Sequence, residues 1–113
     1  MAKYFREDEI LGLDPSLVER LDAARELCGF PFTITSGKRS PDDNNRVGGV
    51  EDSSHILGVA VDLRVPMETT LREKMIWALG LAGFKRIGIY TRHLHVDIDE
   101  SKTQNVAWFG ESH

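Results

Sequence analysis

The chain has 113 residues, 41% hydrophobic and 28% charged, with a formal net charge of −4. Such a length fits one domain, residues 1–113, with a modest core. The acidic balance excludes the electrostatic footprint of a nucleic-acid binder, and no apolar run approaches the ~20 residues that span a bilayer. Residues Met1 to Glu9 lack the continuous apolar stretch of a secretory leader, so synthesis in the cytoplasm is expected. Cys28 is the single cysteine, which rules out an intramolecular disulfide. Its place late in an apolar helical pattern predicts a small buried hydrophobe, not a nucleophile.

Asp14-Pro15 reads as an N-cap with a first-turn proline, followed by Leu17, Leu21, Ala24 and Cys28 at helical spacing and a stop at Gly29. Phe32-Thr33-Ile34-Thr35 is rich in strand formers and predicts a short strand. From Ser36 to Ser54 the chain is mostly Gly, Pro, Asn, Asp, Ser and basic residues. So long an irregular segment in a small domain points to function. Val59 to Val65 follows as a strand stopped by Pro66, with Val59, Val61, Leu63 and Val65 on one face and Ala60, Asp62 and Arg64 on the other. Thr70 and Glu73 form a candidate capping box for a helix that ends at Gly83. Leu71, Met75, Ala78, Leu79 and Ala82 line one side of that helix, and Met75 and Trp77 are expected in the core or at its boundary. Arg86 to Tyr90 is a strand, turning through Thr91-Arg92 into a final strand where Leu94, Val96 and Ile98 alternate with His93, His95, Asp97 and Asp99. The order predicts an α+β fold, with helices packed on a small, largely antiparallel sheet whose last two strands form a hairpin.

Three of the four histidines fall in two short polar stretches, Ser53 to Asp62 and His93 to Asp97. Residues two apart on a strand share a face, so His93, His95 and Asp97 project to one side. His55 and Asp62 would stand about 10 Å apart along a continuous helix, too far to share one ion. Gly58 and the β-branched residues after it instead predict a turn into a strand, which lets the two converge. Ala60 lies on the Asp62 face and is small, leaving room beside it. Asp62 taken alone also fits a buried, hydrogen-bonded structural carboxylate.

Ser53-x-His55-x-x-Gly58-x-Ala60-x-Asp62, followed by a His-Val-Asp strand, resembles the zinc D-Ala-D-Ala carboxypeptidase family. That family has the hedgehog-type zinc fold and includes phage endolysins. The chain is most similar to its short, single-domain peptidases. Ser36-Gly37-Lys38-Arg39-Ser40-Pro41 matches their Ser-Gly-aromatic-Arg-Ser-Pro loop except at Lys38, and Asn44-x-x-Val47-Gly48-Gly49 and Gly88-Ile89-Tyr90 also match. The likeness runs from about Thr33 to Asp97.

The resemblance implies that His55, Asp62 and His95 bind one zinc ion, that Ser53 contacts substrate, and that Arg39 holds the scissile carbonyl or a substrate carboxylate. Three protein ligands leave a fourth position for water, the pattern of a catalytic zinc. Several relatives carry Glu or Asp three residues before the last zinc histidine, where this chain has Arg92, which cannot serve as a base. His93 and Asp97 are the remaining catalytic candidates: His93 as transition-state stabiliser or proton shuttle, Asp97 as base or as the partner that orients His95. The expected protein is a monomeric zinc metallopeptidase that hydrolyses amide bonds in peptidoglycan stem peptides, as a DD-carboxypeptidase or endopeptidase. It would have no nucleic-acid partner and no membrane span, and would act on the bacterial cell wall in the manner of a phage or prophage lysis or virion enzyme. The alternative is a non-catalytic, zinc-stabilised wall-binding or interaction module, in which His93 joins His55, Asp62 and His95 to close the metal site.

Overall fold

In a computed structural model, which describes residues 2–40 and 54–110, the first helix, α1 (Pro15–Cys28), opens where the Asp-Pro pair places it. The Asp14 carboxylate accepts a hydrogen bond from the Ser16 N–H at 2.8 Å, and Pro15 occupies a first-turn position that needs no N–H partner. Gly29 ends the helix in the left-handed region at φ 84°, donating its N–H to the Arg25 carbonyl. Leu17, Leu21, Ala24 and Cys28 are all fully buried. Burial also pushes the Cys28 thiol above its usual pKa, as suits a packing residue. Ahead of α1, the Lys3 and Tyr4 N–H groups bond to Asp22, which ties the N-terminal segment to the helix.

The strands are β1 (Ile34–Ser36), β2 (Ala60–Arg64), β3 (Arg86–Ile89), β4 (His93–Asp97) and β5 (Val106–Phe109), and the second helix, α2 (Thr69–Leu81), lies between β2 and β3. They form one sheet in the order β1-β2-β4-β3-β5. All pairs are antiparallel except β3 with β5, so the α+β, largely antiparallel architecture is borne out. Three local expectations are corrected. Strand β1 begins two residues later than its β-branched run suggests, because Phe32 turns into the core instead of joining the ladder. Helix α2 is capped at Glu68 with no side-chain bond; Thr70 sits inside the first turn, so the Thr70–Glu73 box does not form. Trp77 is half-exposed on α2, outside the core occupied by Met75, Ala78 and Leu79. Residues 41–53, most of the long irregular stretch, lie outside the described residues, and with them Pro41, the Asn44–Gly49 motif and Ser53.

The period of two divides the sheet. Val61, Leu63, Ile87, Leu94 and Val96 join Leu17 and Leu21 of α1 and Met75 and Leu79 of α2 in one apolar cluster. Ala60, Asp62, His93, His95 and Asp97 alternate with these strand residues and face the other way. Among the described residues, no helix is long and apolar enough to cross a membrane.

Candidate active site

Strand register aligns one row of residues across all five strands. Ser36 of β1 pairs with Asp62 of β2, Asp62 with His95 of β4, His95 with Gly88 of β3, and Gly88 with Trp108 of β5. The next row sets Arg64 opposite His93. His55 reaches the same point from the turn that precedes β2. That turn is closed by the Gly58 N–H on the His55 carbonyl and the Val59 N–H on the Ser54 carbonyl. Gly58 holds φ 75°, and a Cβ there would run into the Gly12 carbonyl oxygen, so both conformation and space demand glycine. The Ser54 hydroxyl bonds to Asp99 at 2.7 Å, fastening the turn to the segment after β4.

The turn therefore delivers what its sequence predicts: His55 and Asp62 converge. His55, Asp62 and His95 each present a ligating atom, all within 4.8 Å of one another, so the group can hold a metal ion. His55 Nε2 is 3.3 Å, and His95 Nδ1 3.2 Å, from the same oxygen, Asp62 Oδ1. The far nitrogens fix the tautomers. His55 Nδ1 lies 2.8 Å from the Gly37 carbonyl, which can only accept, so this nitrogen carries the hydrogen. His95 Nε2 lies 2.7 Å from Asp97 Oδ2 and donates in the same way. When both rings are neutral, as ligation of a metal requires, each lone pair faces the Asp62 carboxylate. Three electron pairs directed at one another repel unless a cation or a proton stands between them, and this donor set, with each histidine tied from behind, fits a zinc-type ion.

The titration behaviour follows from that crowding. Burial alone would raise the Asp62 carboxyl, yet hydrogen bonds from His55 and His95 outweigh it and hold the group well below the usual carboxylate range. Burial would lower His95, but its bonds to Asp62 and Asp97 raise it above the ordinary imidazole value. His93 is lowered, mainly by its own burial, and so favours the neutral ring.

Arg39 sits against the group: its guanidinium is 3.2 Å from Asp62 Oδ2 and its Nε 2.9 Å from Ser36 Oγ. The Arg39 N–H bonds to the His55 carbonyl, so loop and turn hold each other. His93 stands one step away, its Nε2 3.9 Å from Asp62 Oδ1 and its ring stacked on Tyr90 at 4.4 Å. Asp97 lies behind His95, on the far side of its ring from Asp62. Its side chain is fully buried, and Oδ1 accepts from Arg86 Nε at 2.8 Å and from the Asp99 N–H. Burial would raise this carboxyl too, but the His95 bond, the Asp99 N–H and Arg86 hold it low and ionised. Arg92, at the position where relatives carry an acid, is exposed.

Three participants escape sequence reasoning. Arg86 reads as an ordinary strand residue, yet it neutralises Asp97. Tyr90 enters only as part of a motif. Trp108 lies on a strand outside the expected set, although Val106-Ala107-Trp108-Phe109 has the β-branched and aromatic character of one. Trp108 lies 5.7 Å from the His95 ring.

Comparison with known proteins agrees with this arrangement. In solved structures, the chain is similar to the Serratia marcescens L-Ala D-Glu endopeptidase ChiX, with a TM-score of 0.65 at 21% identity, covering 88% of this chain and 90% of that one. A search of curated sequences finds no match. The sequence model of peptidase M15 matches residues 4–99, which include both stretches that supply the His–Asp–His group. The chain belongs to the peptidase M15 family.

Proposed function

We propose that this peptidase is a zinc-dependent enzyme that hydrolyses amide bonds in peptidoglycan stem peptides, working as a monomer. The observation that carries the metal assignment is the convergence of His55 Nε2 and His95 Nδ1 on Asp62 Oδ1, with the opposite nitrogens anchored by Gly37 and Asp97. The wall substrate is supported by family membership and by the fold shared with an L-Ala D-Glu endopeptidase. When bound, zinc supplies Lewis acidity that polarises a carbonyl and acidifies water.

The chain's own residues supply the rest. Arg39, held beside Asp62 by Ser36 and by its backbone, carries a permanent charge toward a substrate carboxylate or toward oxygen that gains negative charge. His93, neutral by virtue of its burial, accepts or returns a proton at its ring nitrogen. Asp97 orients His95 and does not act as a base, because its side chain has no exposed surface and both oxygens are engaged. Ser53 keeps its role as a substrate contact.

The closed, non-catalytic module would need His93 as a fourth ligand. His93 stays outside the group whose atoms lie within 4.8 Å, and it stacks on Tyr90. This favours an open, catalytic position. Incubating zinc-loaded protein with purified peptidoglycan and weighing the released peptides tests the reading. Loss of terminal D-Ala identifies a carboxypeptidase, release of truncated stems or separation of cross-linked stems identifies an endopeptidase, and an unchanged substrate defeats the proposal.

A further inference from the structure

Strand β5 does more than extend the sheet. Its Trp108 lies across β3 at the one position where that strand has no side chain: a Cβ on Gly88 would stand 2.8 Å from both the Trp108 and Tyr90 rings. Through that gap the indole Nε1 donates to the Tyr90 hydroxyl at 3.1 Å. Tyr90 in turn lies flat on His93, with ring centroids 4.4 Å apart and planes within 8°. The Arg86 guanidinium packs over the indole at 5.0 Å, a further contact that steadies Trp108. An indole N–H has one use, donation, and here it is spent on a tyrosine whose ring lies against the assisting histidine.

We propose that Trp108 is a positioning residue for His93, acting through the Tyr90 hydroxyl. The inference rests on the reading of His93 as the group that assists amide hydrolysis. Gly88 and Gly110 let the backbone approach the Tyr90 ring, and the indole hydrogen bond is the polar contact that holds its hydroxyl; without it the ring is freer to shift, and with it the surface against which His93 stacks. The three metal-directed residues keep their partners in Gly37, Asp62 and Asp97, so metal binding is untouched.

The test uses zinc-loaded wild type, Trp108→Phe, Tyr90→Phe and the double variant on purified peptidoglycan. Each single variant should lower kcat about five- to tenfold, the loss expected for one hydrogen bond, with KM and zinc content unchanged. The double variant should fall no further than either single one, because both cut the same link. Additive losses, or wild-type kcat in Trp108→Phe, would overturn the proposal. A second measurement is independent of turnover: the carbon-bound ring protons of His93, shifted upfield by the Tyr90 face, should move downfield in both single variants. Unchanged His93 signals also overturn it. A wild-type protein that releases no peptides sinks the proposed reaction instead, and the His93 signals still decide the positioning role.

Discussion

The two faces of the sheet are made by the same strands and differ in everything else. On one face Val61, Leu63, Leu94 and Val96 are fully buried against the helices, held by shape and apolar area. On the other, Asp62, His93 and His95 keep partial access, and their polar atoms face charged or lone-pair partners whose removal leaves a mismatch. Adjacent residues along β4 thus face unlike surroundings: Leu94 packs in the apolar core, and His95 joins the group that could hold a metal ion. The lesson is that stability and chemistry can be perturbed one residue apart, almost independently.

The largest expected effect lies on the apolar face. Leu94→Ala should cost about 2–5 kcal/mol, measured by urea unfolding, while zinc stoichiometry and kcat of the folded fraction stay near wild type. On the polar face, Arg39→Ala should lower kcat about 100- to 1,000-fold, the scale for loss of a group that stabilises developing negative charge. Its zinc content should stay nearly unchanged, and its melting temperature should fall by less than that of Leu94→Ala. If the two variants showed the same pattern of losses, the separation of the faces would be broken.

That separation is legible in the sequence wherever a periodic pattern meets a strong local signal. Asp14-Pro15 and Gly29 frame α1 because capping and left-handed backbone are local chemistry. Alternation in Val59–Val65 and in His93–Ile98 puts the apolar and polar residues on their correct sides, because register cannot slip without exposing the core. The His55 turn is legible from Gly58 and the β-branched residues that follow it. What is lost depends on distant partners. Thr70 carries a capping signal that the chain does not use, since the helix already starts at Thr69. The Trp108 strand has only four residues and owes its existence to the exposed edge of β3, which no local pattern reveals. Asp97 looks equivalent to His93 by spacing. Only the bond from Arg86, eleven residues away on the neighbouring strand, shows that its carboxylate is already engaged.

Asp97→Asn sharpens the comparison within the polar face itself. The carboxamide keeps the shape of the carboxylate and lacks the charge that holds His95 in one tautomer, so zinc affinity should fall about 10- to 100-fold by calorimetric titration. Unlike Arg39→Ala, this variant should regain most of its cleavage rate at saturating zinc, because the loss lies in holding the metal and not in the reaction.

The smallest effect, and the most diagnostic, is a slope with pH. In the metal-free protein His95 is raised above 6.5 despite its burial, because Asp62 and Asp97 both favour its charged form. A proton therefore occupies the site that a cation needs, and zinc binding must expel it. Below the raised His95 value the apparent zinc affinity should climb about tenfold per pH unit, and above it the curve should flatten. Asp62 is held so low that it stays ionised across this window and adds no slope of its own. In Asp97→Asn one of the two charges that raise His95 is gone, so the flattening should move to lower pH, whereas Leu94→Ala should leave it in place. A curve that did not shift between wild type and Asp97→Asn would mean that Asp97 does not act through His95, and the polar face would lose its ordered chain from Arg86 to the metal-directed nitrogen.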